Sequence, residues 1–295
     1  MFKISHFIGI DIGGTNIRAA VVSKEGNIVE IFKIGNEVQK GAAYNLDKLI
    51  NQIKTQWNSY EIEKVGVGVP GPLDIKVGKL LNPVNLKGWE NFNIKEYLSE
   101  NLNLPIQVNN DANVAGLAES LAGSAKECES VFYITVSTGV GGALIINKKI
   151  INGAHNQTAE IYNMIINEDK YSHVGLNKGG LEGQCSGVHI ARIASEAYGK
   201  ILSTKEVFDL YENNDEKAVQ VIEKWVDNIS IGIANIISVV DPETVVIGGA
   251  VIINNPYLLP KVIECTKTKV ADPAMVDIRM AEIGDNAGLI GAAMI

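Results

Sequence analysis

FIGIDIGGTNIRAAVV at residues 7–22 and FYITVSTGVGGALII at residues 132–146 share one pattern. Each stretch contains an apolar strand rich in β-branched residues, a glycine-rich turn and a second apolar strand. Glycine lets a turn adopt positive φ and approach a ligand closely, and consecutive amide groups in such a turn form a concave anion site. Two such turns could hold a polyphosphate from two sides, so the repeat predicts a nucleotide-dependent enzyme with two similar halves.

The composition is that of a globular protein with two domains. The chain has 295 residues, of which 46% are hydrophobic and 20% are charged, and this length suffices for two cores. The net charge of −8 argues against a nucleic-acid or anionic-membrane surface, and no apolar run approaches the roughly 20 residues of a membrane span. Cys128, Cys185 and Cys265 lie too far apart for a zinc motif or a disulfide framework. Because the N-terminus also lacks an apolar leader, a cytoplasmic protein is expected.

Predicted strands and helices alternate along the chain. Residues 1–35 read as a three-strand meander, and KVGVGVPGP at residues 64–72 is a continuous apolar run that suits a buried parallel strand. This order predicts an α/β fold with mixed sheets. We expect a first lobe at residues 1–115, completed by a C-terminal helix at 284–295, and a larger second lobe at 116–283.

The glycine turns are candidates for binding a nucleotide. In DIGGTN, Asp11 ends a strand, where a carboxylate can hold Mg²⁺ beside substrate phosphates. STGVGG is the second phosphate turn, and the bend after VVI is a place where a flat base can lie against backbone. Plain glycine hairpins, and an ordinary strand-to-helix turn at the bend, are the alternative interpretations. The expected contacts besides Asp11 are Gly13, Gly14, Thr15, Asn16, Thr138, Gly139, Gly141, Gly248 and Gly249.

Asp111 follows a predicted strand in the NNDAN motif and begins a predicted helix. Its carboxylate is expected to stay ionised, because the dipole at a helix N-terminus favours an anion. With Asn110 and Asn113 around it, Asp111 has the character of the base that accepts the hydroxyl proton in phosphoryl transfer to an alcohol. The alternative is a helix N-cap, for which aspartate is a favoured residue.

Glu160 and Glu182 lie in an irregular stretch rich in Asn, Gly and His. Their carboxylates could accept hydrogen bonds from sugar hydroxyl groups, and the alternative is a solvated surface charge. Surface or packed side chains, rather than ligands, are expected at His155, His173, His189, Trp89 and Met164.

Taken together, these motifs resemble the ROK family of sugar kinases and repressors, which belongs to the actin-like ATPase superfamily. The resemblance covers nearly the whole chain and implies two actin-like, ribonuclease H-like α/β lobes with mixed sheets and a central cleft that binds ATP. ROK proteins are dimers as a rule, so a homodimer is expected. The motifs that carry the resemblance are DIGGTNIR, GVGVPGPLD, NPVNLKGW, NNDAN, STGVGG, TAEI, GGLEGQCSG, DPETVVIGGAV and GDNAGLIGAA.

The resemblance also implies roles for single residues. Asp111 is implied as the general base, with Asn110 beside it as a sugar contact and Gly71 in the turn that lines the sugar site. Glu160 matches the glutamate of the family's Ala-Gly-Glu segment, and Glu182 matches the glutamate that ends its cysteine motif; both are implied as sugar ligands. The implied reaction transfers a phosphoryl group from ATP, with Mg²⁺, to the 6-hydroxyl group of a hexose.

One departure from the family concerns its structural zinc, which one His and three Cys hold. Those positions are Asn163, His173, Gly175 and Gly180 in this sequence. A single imidazole cannot complete a closed four-ligand site, so no zinc is expected, and packing must hold the loop, in part from residues 162–171. Because the family's His also contacts the sugar, Asn163 is expected to form a neutral hydrogen bond there.

Among ROK kinases the chain is most similar to bacterial N-acetylmannosamine kinases, which implies a place in sialic acid catabolism. The residues named above would bind glucose hydroxyl groups equally well, so a glucokinase or another hexose kinase is the alternative. ROK repressors carry a helix-turn-helix before the first glycine turn, and only ten residues precede Asp11, so no nucleic-acid partner is expected. A non-catalytic sugar sensor is the remaining alternative, which the retention of Asp111 and both turns disfavours.

Overall fold

The computed structural model describes residues 5–83, 85–173 and 175–295. Residues 1–4, Val174 and Val84, which belongs to the NPVNLKGW motif, lie outside the described residues. The chain divides into two compact units. Unit 1 extends to Lys126 and includes Lys148–Gln157 and Ile283–Ile295, whereas unit 2 comprises Glu127–Asn147 and Thr158–Glu282.

Unit 1 is built on a five-stranded sheet with the order β3-β2-β1-β4-β7. The first three strands are antiparallel, and β4 is parallel to both β1 and β7. The strands are β1 Ser5–Ile12, β2 Asn16–Val22, β3 Ile28–Gly35, β4 Glu61–Val69, the short pair β5 Leu73–Asp74 and β6 Lys79–Leu80, and β7 Ile106–Asn110. The helices are α1 Gly41–Gln56, α2 Ile94–Leu102, α3 Asp111–Ala122 and, from the C-terminus, α10 Ala287–Met294.

In unit 2 the strands β9, β8, β11 and β12 are neighbours in that order. β8 and β9 are antiparallel, whereas β11 is parallel to β8 and β12. These strands are β8 Ser130–Val136, β9 Val140–Ile146, β11 Thr244–Gly248 and β12 Ile278–Met280. The two-residue strand β10, Lys149–Ile150, belongs to unit 1. The helices are α4 Leu181–Cys185, α5 Gly187–Tyr198, α6 Thr204–Glu212, α7 Glu216–Val240, α8 Ala250–Ile253 and α9 Leu258–Lys267.

The two units share a strand order. The series β2-β1-β4-β7 and β9-β8-β11-β12 each combine one antiparallel hairpin with two parallel neighbours. The glycine turns occupy equivalent places, between β1 and β2 and between β8 and β9. The prediction of two similar α/β halves with mixed sheets is therefore confirmed.

Helix α10 packs on the sheet of unit 1 so closely that side chains are excluded. A Cβ atom at Gly66 would lie 1.7 Å from the carbonyl oxygen of Ala292, and one at Gly9 would lie 1.9 Å from that of Leu289. On its other side α10 touches α3, where a Cβ atom at Gly291 would lie 1.7 Å from the carbonyl oxygen of Val114. Because α3 packs in this way, unit 1 continues to Lys126 rather than ending at residue 115.

Each unit has its own apolar core. Trp89 is fully buried in the core of unit 1, and Met164 packs against the core of unit 2, so both are packing residues as the sequence predicts. Within the described ranges, no helix combines the length and the apolar character that crossing a bilayer requires.

Candidate active site

The first glycine turn is closed by its own hydrogen bonds. The amide of Gly13 donates to the carbonyl oxygen of Asn16 at 2.9 Å, and the side chain of Asn36 donates to the carbonyl oxygen of Gly13 at 2.8 Å. The amide of Gly13, expected to bind phosphate, is thus already used within the turn. Gly14 and Thr15 are exposed at its tip, where a ligand can reach them.

Asp11 forms an ion pair with Arg18, which is not among the predicted site residues. Arg18 lies directly opposite Asp11 in the pairing of β1 with β2. Its Nη2 and Nε atoms donate to Oδ2 of Asp11 at 2.5 and 3.2 Å, and Nη2 also donates to the carbonyl oxygen of Asp285 at 2.6 Å. The carboxylate keeps Oδ1 for another partner, so Asp11 still fits a cation-binding role.

Asp111 is the first residue of α3, but it is not the N-cap. That role belongs to Asn110, whose Oδ1 atom accepts a hydrogen bond from the amide of Ala112 at 2.9 Å. Asp111 is exposed, yet desolvation by the surrounding protein raises its pKa, and the charge of Asp11 raises it further. The hydrogen bond from the amide of Ala112 lowers the pKa, as expected at a helix start, but desolvation raises it more, so the net shift is upward.

A network of asparagine side chains supports the start of α3. Oδ1 of Asn109 accepts hydrogen bonds from the amide of Asn110 and from Nδ2 of Asn113, at 2.8 and 2.9 Å, and Nδ2 of Asn109 donates to Asn152 at 3.3 Å. A Cβ atom at Gly71 would lie 3.5 Å from Nδ2 of Asn110, so Gly71 and Asn110 are neighbours as the resemblance implies. Asn152 is 43 residues away from Asn109 in the sequence, so no local pattern could predict this hydrogen bond.

The second glycine turn holds a carboxylate in place. Oε2 of Glu182, in α4, accepts a hydrogen bond from the amide of Val140 at 2.9 Å. A Cβ atom at Gly139 would lie 2.7 Å from the same oxygen, so only glycine leaves room for it. The turn is also joined to the start of α5, because the amide of Gly187 donates to the carbonyl oxygen of Ser137 at 2.7 Å.

Glu160 and Asn163 border the short helical turn Ile161–Asn163 of unit 2. The pKa of Tyr162 is raised by desolvation and by the negative charges of Glu160 and Glu182, which indicates that both carboxylates lie near this ring. Oδ1 of Asn163 accepts a hydrogen bond from the amide of Asn177 at 2.5 Å. The structure thus gives Asn163 a partner within the loop.

The residues at the four zinc positions of the family do not fit a zinc ion. Gly175 and Gly180 offer no side-chain ligand, and the amide oxygen of Asn163 is engaged by Asn177. The loop is held instead by backbone hydrogen bonds from Ile166 to Gly179 at 2.9 Å and from Leu181 to Met164 at 2.8 Å. Packing of Met164 and Ile166 against the core of unit 2 adds to these bonds.

A different group of possible metal ligands lies beside this loop. His173, Glu182 and His189 each offer an atom within 4.8 Å of the others. However, Nδ1 of His189 accepts a hydrogen bond from Nε of Arg192 at 3.2 Å, whereas a metal-bound imidazole normally donates through its other nitrogen. The imidazole rings of His189 and His173 are stacked with their centroids 5.5 Å apart, and Tyr171 contacts both edge-on. The group is better described as an aromatic stack than as a metal site.

A cavity of about 540 Å³ in unit 2 adjoins the second glycine turn. It is bordered by Thr138, by the start of α5, by α6 and by α8, and its volume is that of a small-molecule pocket. Gly248 and Gly249 precede α8, and their lack of side chains has a packing reason. Cβ atoms there would lie 2.9 Å from Cβ of Ala281 and 2.4 Å from the carbonyl oxygen of Val136, respectively.

The comparison with known families agrees with this arrangement. The model of the ROK family matches residues 7–295. The chain belongs to the ROK family. A glucokinase of Halalkalibacterium halodurans is 30% identical, with 98% of this chain and 94% of the relative covered. An N-acetylmannosamine kinase of Haemophilus influenzae is also 30% identical, with 97% and 93% covered.

Solved ROK structures share the fold over nearly their full length. The ROK hexokinase from Thermus thermophilus superimposes with a TM-score of 0.90 at 30% identity, covering 98% of this chain and 97% of that one. A ROK glucokinase from Streptomyces griseus, solved with glucose and AMPPNP, gives a TM-score of 0.80 at 26% identity and covers 98% of each chain. These similarities confirm the predicted family and fold class.

Proposed function

We propose that this ROK protein is an ATP-dependent kinase that phosphorylates the 6-hydroxyl group of N-acetylmannosamine. The observation that carries the proposal is the position of Asp111, an accessible carboxylate at the start of α3 beside the hydrogen-bonded side chains of Asn109, Asn110 and Asn113; desolvation also raises its pKa. A base with a raised pKa accepts a proton more readily, which is what general-base catalysis on an alcohol requires. The N-acetylmannosamine kinase of Haemophilus influenzae, 30% identical over 97% of this chain, supports the choice of sugar.

In the proposed reaction Asp111 takes the proton of the 6-hydroxyl group as the oxygen attacks the γ-phosphorus of ATP, and the bond from that phosphorus to the bridging oxygen breaks, so that ADP leaves. Asn110 and the neighbouring Gly71 are proposed to contact the sugar, and the asparagine network holds Asn110 at the start of α3. Glu160, Asn163 and Glu182 are the proposed sugar contacts of unit 2. Catalysis by these residues consists mainly of positioning and of charge stabilisation.

The nucleotide is assigned to the glycine turns. Gly14, Thr15 and Asn16 in unit 1, with Thr138 and Gly141 in unit 2, are proposed to contact its phosphates. The cavity beside Thr138 is proposed to bind the nucleoside, so the nucleoside would lie near Gly248 and Gly249. Asp11 fits a magnesium ion because its Oδ1 atom is not used by Arg18, and bound MgATP supplies both the phosphoryl group and the neutralisation of its charge.

A glucokinase is the second candidate, because the glucokinase of Halalkalibacterium halodurans is equally identical at 30%. Carboxylates such as Glu160 and Glu182 accept hydrogen bonds from the hydroxyl groups of either sugar. The proposal also includes a cytoplasmic homodimer and a role in sialic acid catabolism. The cytoplasmic location and the homodimer rest on the family, and the role in sialic acid catabolism rests on the choice of sugar.

The test is ADP release by the purified protein with MgATP and N-acetylmannosamine, glucose, N-acetylglucosamine or fructose. We expect turnover with N-acetylmannosamine to exceed that with the other sugars at subsaturating concentration. Preference for glucose would replace the first candidate by the second. Absence of turnover with every sugar, from a protein that binds a sugar in calorimetry, would refute the kinase and favour a sensor.

A further inference from the structure

Asp11 is held by a neighbour that the proposed mechanism does not use. Arg18 faces Asp11 across the β1–β2 hairpin, and two nitrogen atoms of its guanidinium group donate to the same oxygen, Oδ2, at 2.5 and 3.2 Å. Both side chains are mostly covered, with exposed fractions of 26% for Arg18 and 22% for Asp11. An ion pair of this geometry fixes the rotation of the carboxylate as well as its charge.

The same guanidinium group is tied to the C-terminal segment. Nη2 of Arg18 donates to the carbonyl oxygen of Asp285 at 2.6 Å, in the GDNAGLIGAA motif, whose place in the function is otherwise unexplained. The first turn of α10 also approaches Asp11, because a Cβ atom at Gly288 would lie 3.1 Å from its Oδ2 atom. Arg18 therefore joins Asp11 to a second element of unit 1 and leaves its carboxylate little freedom to turn.

The ion pair leaves the two oxygen atoms of Asp11 in different situations. Oδ2 accepts both hydrogen bonds from Arg18, and in the described part of the chain no hydrogen bond to Oδ1 is found. The side chain of Asp11 is part-exposed and lies two residues before Gly13 of the glycine turn, which leaves Oδ1 as the oxygen for a ligand bound at the turn. A hard divalent cation with nucleotide phosphates around it needs one such oxygen.

We propose that Arg18 is a positioning residue, which holds Oδ2 of Asp11 so that Oδ1 is presented to the magnesium ion of the nucleotide. This inference rests on the proposed function, because it assumes that the site takes a magnesium nucleotide. Partners that orient a metal-binding carboxylate typically change metal affinity by about 10–100-fold when they are removed. Arg18 should therefore govern the affinity for the magnesium nucleotide and not the affinity for the nucleotide alone.

Two other roles for Arg18 make different predictions. A guanidinium group that bound phosphate directly would contribute to nucleotide affinity with or without magnesium. A purely structural role would lower the melting temperature and leave both affinities unchanged in the folded protein. Only the positioning role makes the loss depend on the metal ion.

The experiment is calorimetric titration of the whole protein with ADP, in the presence and in the absence of Mg²⁺. We expect Arg18→Gln to weaken MgADP binding by roughly 10–100-fold and to leave the binding of metal-free ADP unchanged. Arg18→Lys keeps the charge without the two-donor geometry, so it should show a smaller loss with the same dependence on Mg²⁺. It also keeps the test valid if Arg18→Gln does not fold.

Lys33→Gln is the matched control. Lys33 is the exposed cross-strand partner of Arg18 on β3, so its replacement removes one positive charge from the same face of the sheet. It should leave both affinities unchanged. An equal loss in Lys33→Gln and Arg18→Gln, an equal loss with and without Mg²⁺, or wild-type affinity in the Arg18 variants would each overturn the proposal. A wild-type protein that binds no ADP would instead overturn the proposed function, and the inference with it.

Discussion

Replacing Gly139 by alanine would place a methyl group 2.7 Å from Oε2 of Glu182. Carbon and oxygen atoms in van der Waals contact need more space, so the carboxylate must move by roughly half an ångström or more. The hydrogen bond from the amide of Val140, now 2.9 Å long, would be stretched or broken. If Glu182 contacts the sugar from this fixed position, the substitution should impair sugar binding although it lies in the glycine turn.

The size of the effect follows from the proposed hydrogen bond between Glu182 and the sugar, which the displaced carboxylate would lose. A hydrogen bond to a charged group contributes about 1.5–3 kcal/mol, which corresponds to roughly 10–150-fold in an equilibrium constant. We expect Gly139→Ala to lower kcat/KM for the sugar by about tenfold or more, mainly through KM.

Steady-state kinetics with the sugar and MgATP varied separately would measure this effect. Gly35→Ala is the control, because a Cβ atom there meets nothing within 4 Å, and its kinetics should equal those of the wild type. The reasoning about Glu182 is refuted if Gly139→Ala keeps the wild-type KM for the sugar. It is also refuted if KM rises for MgATP alone.

Three further predictions concern titration and the zinc-free loop. Because the pKa of Asp111 is raised, kcat/KM should fall as the pH decreases through a value above the usual aspartate pKa, and a profile flat down to pH about 4 would contradict this. The pKa of His189 is lowered to about 4 by desolvation, then by Arg192 and His173. The unfolded state therefore binds protons first, and the free energy of unfolding should fall between pH about 6.5 and 4, by on the order of 2 kcal/mol, with a smaller fall in His189→Gln by urea denaturation. A zinc chelator should leave the melting temperature unchanged, and stoichiometric zinc in the purified protein would contradict this. Asn163→Ala loses the hydrogen bond to Asn177 and should lower the melting temperature by about 2–4 °C in calorimetry.

The sequence predicts what depends on local pattern. In both strand-turn-strand repeats the apolar residues alternate or run continuously, and a glycine-rich turn separates the two strands. This pattern is compatible with few other secondary structures, and both hairpins form as expected. Asn110 and Asp111 at the start of α3 were likewise visible, because a strand ending directly before a helix fixes where they lie. The Arg18–Asp11 pair could also have been deduced, since a turn of four residues between the paired Ile12 and Ile17 places Arg18 opposite Asp11 in the hairpin.

Contacts between distant segments could not be read from the pattern. Glu182 reaches Val140 across 42 residues, and Asn109 reaches Asn152 across 43. The direction of the pKa shift at Asp111 depends on how much protein surrounds it, which overrides the local effect of the helix start. The stacking of His189 on His173 could not be predicted from the sequence either, because it depends on the path of an irregular loop.

The central claim is that Asp111 is the base in phosphoryl transfer to a sugar hydroxyl group. The most direct test is phosphorus NMR of the products formed from MgATP and N-acetylmannosamine by the wild type and by Asp111→Asn. We predict a sugar 6-phosphate from the wild type and a rate lower by about 10²–10⁴-fold in the variant, with unchanged binding of MgADP. Asp111→Asn turning over at a near-normal rate, or phosphate appearing on no sugar with the wild type, would contradict the account.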